Sequence, residues 1–211
     1  MKKTILFLLA LIFTSSIYSQ IKIGLNAGAT YSKPYEGYMG FDAGIDFLIG
    51  ASFEYYLNEN LLLKTNLNYE RKSFGDSFPF TDNRGMLIGQ IKATTNFDYL
   101  TIPIMAKYEF GNSKKFFVNG GPFLGFLLRE ENKADVPSVG QITTIDLINK
   151  KIDVGLSFGI GTKIYINDKS DLNIELRENL GLLNISDNEV YEGGNLKTNS
   201  LNLILNWSFG I

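Results

Sequence analysis

The sequence contains no cysteine and no histidine among its 211 residues. Without cysteine there are no disulfides, thiolate metal ligands, thiol nucleophiles or lipid-modified N-terminal cysteine. Without histidine there are no Ser-His-Asp or Cys-His nucleophile systems, no imidazole metal sites and no imidazole base near neutral pH. We therefore predict a protein that is not an enzyme, and we predict no catalytic, cofactor-binding or metal-binding residues.

The chain also lacks an apolar run near its N-terminus that is long enough to span a membrane as a helix. Residues 5–13 form nine consecutive apolar positions after Lys2 and Lys3, whereas a spanning helix needs about 20. The small residue Ser19 follows a few positions later. This pattern predicts a cleaved signal peptide over residues 1–19 and a mature domain over residues 20–211.

No excess of positive charge is present. Residues 1–19 contain two lysines and no acid, so the remaining chain carries 18 basic and 22 acidic residues, which does not fit a nucleic-acid partner. The segment GLSFGIGTK at residues 155–163 lacks the order of a phosphate-binding loop, and its glycines recur with a period of two. We therefore expect no nucleotide partner either.

Eight segments instead alternate apolar side chains with small or polar ones, the two-residue period that is typical of β-strands. They are Ile21–Tyr31, Ile49–Leu57, Leu61–Arg71, Tyr99–Phe110, Phe116–Leu128, Ile152–Ile166, Leu172–Leu182 and Ser200–Ile211. Connections after the second, fourth and sixth are short, while the others span residues 33–48, 73–95, 129–151 and 186–199. The pattern predicts an all-β fold: an eight-stranded antiparallel up-and-down transmembrane β-barrel with its short turns at one end.

The polar face of these strands is rich in glycine, serine and asparagine and carries charges of both signs. The charged members are Lys22, Glu54, Lys64, Glu70, Lys107, Glu109, Asp153, Lys163, Glu175 and Arg177. Such groups can pair inside a narrow lumen, so we expect pairs such as Glu175 with Arg177 and Lys64 with Glu70. A soluble lipocalin-like barrel, with its apolar face inside, is the alternative.

Aromatic residues cluster near the predicted short turns. They are Tyr55, Tyr56, Tyr108, Phe110, Phe116, Phe117, Tyr165, Trp207 and Phe209. We expect them to form an interfacial girdle. The predicted long loops carry the acids Asp76, Asp82, Glu130, Glu131 and Asp135, for which solvated loop charges are favoured over a divalent-cation site because no regular ligand spacing is present.

A proline interrupts the fourth predicted strand. If the turn at residues 111–115 pairs Phe110 with Phe116, then Pro103 lies beside Phe123 and Ile104 beside Pro122. Because proline cannot donate to a strand ladder, we expect a bulge or weakened pairing there. The freed carbonyls are expected to turn to lumen water or polar lumen side chains.

Together, the export signal, the eight strands and the segments YLTIPIMAKYEF, NGGPFLGFLL, KIDVGLSFGIGTKIY and LNIELRENLGLLNIS resemble the PorT-like or porin-family outer-membrane barrels of Bacteroidetes. The resemblance covers essentially all of the predicted mature chain. It implies an outer-membrane location in a Gram-negative envelope. We expect a monomeric barrel in contact with outer-membrane lipids, with other envelope or secretion proteins as the partners open to it.

Three functions remain open at this point. The first is a closed barrel, its lumen filled by side chains, with a structural or interaction role through long extracellular loops. The second, which the resemblance implies, is a PorT-like accessory or assembly component of a type IX secretion apparatus. The third is a narrow porin-like channel for small solutes.

Overall fold

The computed structural model describes residues 20–35, 41–137, 139–145, 149–186 and 195–210, so the predicted signal peptide lies outside the described residues. These ranges contain nine β-strands and a 3₁₀ turn at Asn112–Lys114. The strands are β1 (Ile21–Ser32), β2 (Asp42–Tyr56), β3 (Leu61–Thr81), β4 (Leu87–Phe110), β5 (Phe116–Val136), β6 (Gly140–Thr144), β7 (Ile152–Asn167), β8 (Ser170–Gly181) and β9 (Asn199–Gly210). No helix in the described ranges is long and apolar enough to cross a membrane.

Eight of the strands form a closed antiparallel barrel. The order β4-β3-β2-β1-β9-β8-β7-β5 is completed by pairing of β4 with β5. Strand β6 stands outside the ring and pairs with the end of β5. The predicted eight-stranded up-and-down barrel is confirmed, and its three short turns follow β2, β4 and β7.

The stagger of the strands sets the width of the barrel. The path of directly opposed residues around the ring is Tyr31, Leu201, Glu178, Phe158, Gly120, Ala106, Leu63, Tyr55 and Ile21. It returns to β1 ten residues from its start. For eight strands this stagger gives a tilt of about 40° and a radius of about 8 Å, an interior that side chains can fill.

The outer surface carries an apolar band between two aromatic girdles. At the short-turn end the exposed aromatics are Tyr108, Phe110, Phe116, Tyr165 and Trp207, and at the opposite end they include Tyr31, Phe47 and Phe126. The girdles are eight residues apart from Phe47 to Tyr55 on β2, and ten from Phe116 to Phe126 on β5. At the tilt given above this is about 20–25 Å, the height of the apolar band of outer-membrane barrels.

Strands β2 to β5 are longer than predicted. Strand β2 begins at Asp42, β3 continues to Thr81, β4 begins at Leu87 and β5 continues to Val136. The predicted loops 73–95 and 129–151 are thus largely extended hairpins, because beyond the membrane both faces of a strand can be polar and the two-residue alternation weakens. Of the predicted loops 33–48 and 186–199, residues 36–40 and 187–194 lie outside the described residues.

The β4–β5 hairpin has the predicted register. Phe110 lies opposite Phe116, and Pro103 lies opposite Phe123. The next pair of this ladder begins only at Ala106, so the strand pairing is interrupted beside the proline. The prediction of weakened pairing is confirmed on this side.

Pairing is interrupted on the other side of the proline as well. The β3–β4 ladder pairs Thr65 with Ile104 and then Asn68 with Thr101, without the two pairs between them. The Pro103 carbonyl accepts a hydrogen bond of 2.9 Å from the Thr65 hydroxyl. Thr65 belongs to the outward-facing set of β3, so the predicted lumen partner for this carbonyl is wrong.

The strands keep their register across both gaps, so of the two expected forms the structure has weakened pairing and not a bulge. The irregularity of the β4–β5 ladder lies between Asp98 and Tyr99 instead. At the gap the two backbones approach closely, since a Cβ added to Gly121 would lie 2.0 Å from the Ile104 carbonyl oxygen. The predicted neighbours Ile104 and Pro122 do not pair there.

Candidate functional site

All ten charged residues predicted for the polar face belong to the inward-facing sets of their strands. Nine are at most 2% exposed, and the Lys22 side chain is 18% exposed. Lys72 and Asp171 add to this set, which then contains six cations (Lys22, Lys64, Lys72, Lys107, Lys163, Arg177) and six anions (Glu54, Glu70, Glu109, Asp153, Asp171, Glu175).

The middle of the lumen is crossed by a chain of ion pairs. Glu175 accepts hydrogen bonds from Arg177 Nε at 2.6 Å, from Lys64 Nζ at 2.7 Å and from Asn119 Nδ2 at 2.9 Å. Lys64 Nζ also lies 3.5 Å from Glu54 Oε1. These groups come from β2, β3, β5 and β8, so the chain of charges connects opposite walls of the barrel. The predicted pair of Glu175 with Arg177 is confirmed.

Towards the short-turn end the same chain of ion pairs continues. Lys107 Nζ donates to Glu54 Oε1 at 2.9 Å and lies 3.3 Å from Glu109 Oε1, which also accepts from Lys163. The Phe117 ring packs against this chain of ion pairs, with its centroid 4.4 Å from Lys107 Nζ. Phe117 is completely buried, so its predicted place in the girdle is wrong, because its position on β5 faces the lumen.

A separate polar centre surrounds Glu70 higher in the lumen. Its carboxylate accepts hydrogen bonds from Thr101 at 2.9 Å, Ser200 at 2.7 Å and Asn202 at 3.1 Å. The predicted pair of Lys64 with Glu70 is therefore wrong. Lys64 is six residues nearer the short turns on β3, and it meets Glu175 and Glu54 instead.

Both ends of the lumen have further charge pairs. Lys22 binds Asp171 at the short-turn end, where the Lys22 ammonium also lies 5.7 Å from the Tyr56 ring. Tyr56 thus joins the lumen side, which corrects its predicted place in the girdle. Near the opposite end Lys72 Nζ lies 3.7 Å from Asp153 Oδ2.

An apolar cluster lies over these charges at the end of the lumen opposite the short turns. The buried side chains are Phe74, Phe97, Tyr99, Leu127, Ile185 and Leu196, with Phe41 packed against them. The Phe74 and Phe97 rings are 5.5 Å apart, and Ile185 and Leu196 come from the connection between β8 and β9. We call these side chains the mouth cluster. The cavity beside the mouth cluster has a volume of about 10 Å³, room for one water at most.

The acids expected in solvated loops lie mainly on the strand extensions. Asp82 caps the β3–β4 turn by accepting from the backbone N–H groups of Arg84 and Met86, both at 2.8 Å. Glu130 is buried and accepts from Asn149. Within the described residues no group of three or more acids is arranged to hold a metal ion.

Glu131 lies beyond the membrane band on the β5 extension. Hydrogen bonds from Lys133 and Asn96 hold the pKa of its carboxyl below the usual range. The Lys133 ammonium is 2.9 Å away and Arg129 Nη2 is 2.7 Å away. Glu131 therefore stays ionised and paired at this height.

Two polar features of the outward face were missed by the sequence pattern. Arg71 binds Asp98 through two hydrogen bonds of 2.6 and 2.9 Å at the level where the apolar band ends. Glu178 stands among outward-facing residues of β8, directly opposite Phe158 and Leu201. The mouth cluster was also missed, because its members come from three hairpins that carry no common motif.

The chain matches the family described as outer membrane protein beta-barrel domain over residues 14–187. Among solved structures, Neisserial surface protein A is 14% identical, with a TM-score of 0.49 over 90% of this chain and 97% of that chain. Outer membrane protein W of Escherichia coli is 14% identical, with a TM-score of 0.44 over 92% and 98%. The Escherichia coli outer membrane protease OmpT is 12% identical, with a TM-score of 0.41 over 92% and 96%. No curated protein matches the chain.

Proposed function

The chain belongs to the outer membrane protein beta-barrel domain family and is located in the outer membrane, and from this premise we propose that it is a closed barrel that acts through its extracellular strands. In this proposal the lumen is a structural filling and conducts no solute. The protein is a monomer that contacts outer-membrane lipids, has no enzymatic activity, and reaches the envelope through a signal peptide over residues 1–19.

The observation that carries the proposal is the continuous chain of buried charges across the lumen. Lys64, Lys107 and Glu175 are each completely buried, so water does not reach these charges from either end. A pore through this region would require ion pairs at 2.7–2.9 Å to separate, and each of them joins two different strands across the lumen. The mouth cluster adds an apolar barrier above them.

Because the lumen is filled in this proposal, the protein acts through the surface of its extracellular strands. Beyond the outer girdle, β3 and β4 form a hairpin that pairs with β5 and β6. Exposed apolar side chains lie on it far from the apolar band, including Phe78, Leu87 and Ile142. Such exposure outside the membrane is typical of surfaces that bind other proteins.

Conductance in planar bilayers tests the closed barrel. We expect no steady single-channel current from the folded protein, and protease protection in liposomes provides the control that the barrel has inserted. A steady current of defined size would refute the closed lumen and support the narrow porin-like channel instead.

A role as a PorT-like accessory of a type IX secretion apparatus is the second candidate. The resemblance of residues 99–110 to the PorT-like group supports it. Deletion of the gene followed by comparison of the secreted proteome tests this role. Loss of a defined set of secreted proteins would favour it, and an unchanged proteome would count against it.

A further inference from the structure

Within the described residues, the strand extensions form a four-stranded sheet with two unpaired edges, which we call the projecting sheet (β3 from residue 76, β4 to residue 95, β5 from residue 132, and β6). Pairing of β2 with β3 ends at Asp42 opposite Gly75, and among the described residues the part of β3 beyond Gly75 pairs only with β4. At the other edge, β6 pairs only with β5 within the described residues. Each edge presents backbone groups that another strand can pair with.

The two edges differ in how they are protected. The β3 edge contains Asp76 and Pro79, and proline and charge are common means by which proteins block edge pairing. The β6 edge is Gly140–Thr144, with the sequence GQITT, and all five residues are exposed. It contains no charge and no proline, so it is open to pairing where the β3 edge is not.

The faces of the projecting sheet define what could bind. One face carries Phe78, Ile91, Ala134 and Ile142, which continue the face of the mouth cluster. The other face carries a polar row that runs from Ser77 through Lys92 and Asp135 to Gln141. An added strand would therefore need apolar side chains on alternate positions and uncharged polar ones between them.

We propose that β6 is the docking edge for an extended segment of a protein partner, which adds to the projecting sheet as a fifth strand. Backbone hydrogen bonds supply the affinity in this mode of recognition, and the alternation of side chains supplies the specificity. The inference deepens the proposed function and rests on it, because it names the part of the extracellular surface that binds.

A second copy of the chain is a poor occupant of this edge. Two barrels in one membrane are related by a two-fold axis along the membrane normal, and the strands run at about 40° to that direction. Such an axis keeps two β6 strands pointing the same way along the normal. Antiparallel pairing of β6 with its own copy is therefore unavailable, and the occupant in this proposal is an extended segment of another protein whose side chains alternate between apolar and uncharged polar.

Hydrogen exchange with a model strand tests the proposal on the folded barrel in detergent micelles. The probe is a capped synthetic peptide of the sequence VGQITTI, taken from residues 139–145, and the control peptide carries N-methyl groups at alternate positions. We expect the free peptide to slow exchange of the β6 amides roughly tenfold and to leave the β3 edge unchanged. The methylated peptide, which cannot donate these hydrogen bonds, should have no effect.

Two matched variants place a lysine at opposite ends of the same polar row. Gln141→Lys should abolish the peptide's effect, whereas Ser77→Lys, on the edge that Pro79 already blocks, should leave it unchanged. Equal protection by the methylated peptide, equal loss in both variants, or no protection at β6 would overturn the proposal.

Self-association provides a further outcome. A concentration-dependent dimer that Gln141→Lys dissolves would also overturn the proposal, since a second copy would then occupy the edge. None of these readouts depends on bilayer conductance. A barrel that binds the peptide but conducts would refute the closed lumen alone, while a silent barrel without peptide binding would refute the docking edge alone.

Discussion

Replacing Glu175 with glutamine should destabilise the barrel more than any other single change in the lumen that keeps side-chain size. Glu175 is completely buried and holds two cations, Lys64 at 2.7 Å and Arg177 at 2.6 Å. The variant leaves both without this carboxylate, although Lys64 keeps a weaker contact with Glu54 at 3.5 Å. Removal of one partner of a buried pair costs about 3–5 kcal/mol.

The loss can be measured by urea unfolding of the barrel in phospholipid vesicles. Trp207, the single tryptophan, lies on the outer surface and reports insertion through its fluorescence. With a denaturant dependence of about 1–3 kcal/mol per molar urea, the midpoint should fall by one molar or more.

Asp171→Asn provides the matched control at the short-turn end. Its partner Lys22 keeps an 18% exposed side chain, so water can solvate the freed ammonium. The Asp171 carboxylate also accepts hydrogen bonds from Asn173 and Ser208, which the remaining amide oxygen of the variant can still accept. We therefore expect a loss of about 1–2 kcal/mol, smaller than that of Glu175→Gln. Equal losses for the two variants, or a Glu175→Gln loss below about 1 kcal/mol, would refute the view that the middle of the lumen is dry.

Three further substitutions probe the wall of the barrel. Thr65→Val removes the donor to the Pro103 carbonyl and should lower the free energy of unfolding by about 1–3 kcal/mol, measured by the same urea titration. Gly121→Ala places a Cβ 2.0 Å from the Ile104 carbonyl oxygen, and the clash should cost at least about 2 kcal/mol, seen as a lower midpoint. Glu178→Gln removes a charge from the outward face and should raise the free energy of unfolding in bilayers by up to about 1 kcal/mol, seen as a higher midpoint.

Each of these has a control on this chain. Thr65→Ser keeps the hydroxyl and should behave as the wild type. Gly85→Ala has no atom within 4 Å of the added Cβ, so only its positive φ should cost stability. Glu59→Gln changes an exposed acid in a short turn and should leave the midpoint unchanged. A Gly121→Ala variant as stable as the wild type would contradict the close approach of Gly121 to the Ile104 carbonyl. A Glu178→Gln variant less stable than the wild type would contradict the outward orientation of Glu178.

The barrel could be predicted from the sequence because lipid and lumen demand different side chains at alternate positions. That demand holds between the girdles, where Leu61 to Arg71 keep a strict alternation. It ends above Arg71, because Lys72, Ser73 and Phe74 are all buried and farther along β3 water meets both faces. The extensions of β3, β4 and β5 therefore carry no pattern that distinguishes them from loops, and Pro79 within β3 is a residue that strands disfavour.

The contents of the lumen could be predicted, but its pairings could not. Alternation places Lys64 and Glu70 on the same face of β3, but six residues of an extended strand separate them by about 20 Å, beyond the reach of an ion pair. The partner of Lys64 comes from another strand, because the stagger of ten residues around the barrel brings Glu175 of β8 to its level. Sequence alone does not give the stagger, since it depends on the register of all eight strands.

The charges of the lumen also affect which strand register the chain adopts, apart from their effect on the stability of the folded barrel. On β8 the outward set includes Leu172, Ile174 and Leu176, and the inward set includes Glu175 and Arg177. A slip by one residue would turn both charges to hydrocarbon, where an arginine near the midplane costs about 2–4 kcal/mol. The charges therefore favour one register over its neighbour by an amount that an apolar lumen could not supply.

The double replacement Glu175→Met with Arg177→Met separates these two roles. It removes one charge of each sign but leaves Lys64 with only the 3.5 Å contact to Glu54, so we expect a loss of about 1–3 kcal/mol, smaller than that of Glu175→Gln. The fraction that folds on dilution from urea into vesicles, read as a gel-mobility shift, should fall, because the faces of β8 then differ less. The exchanged variant Glu175→Arg with Arg177→Glu keeps the contrast and should fold more completely than the double methionine. An unchanged folding yield with a large loss of stability would show that the charges act through the energy of the folded barrel and not through the choice of register.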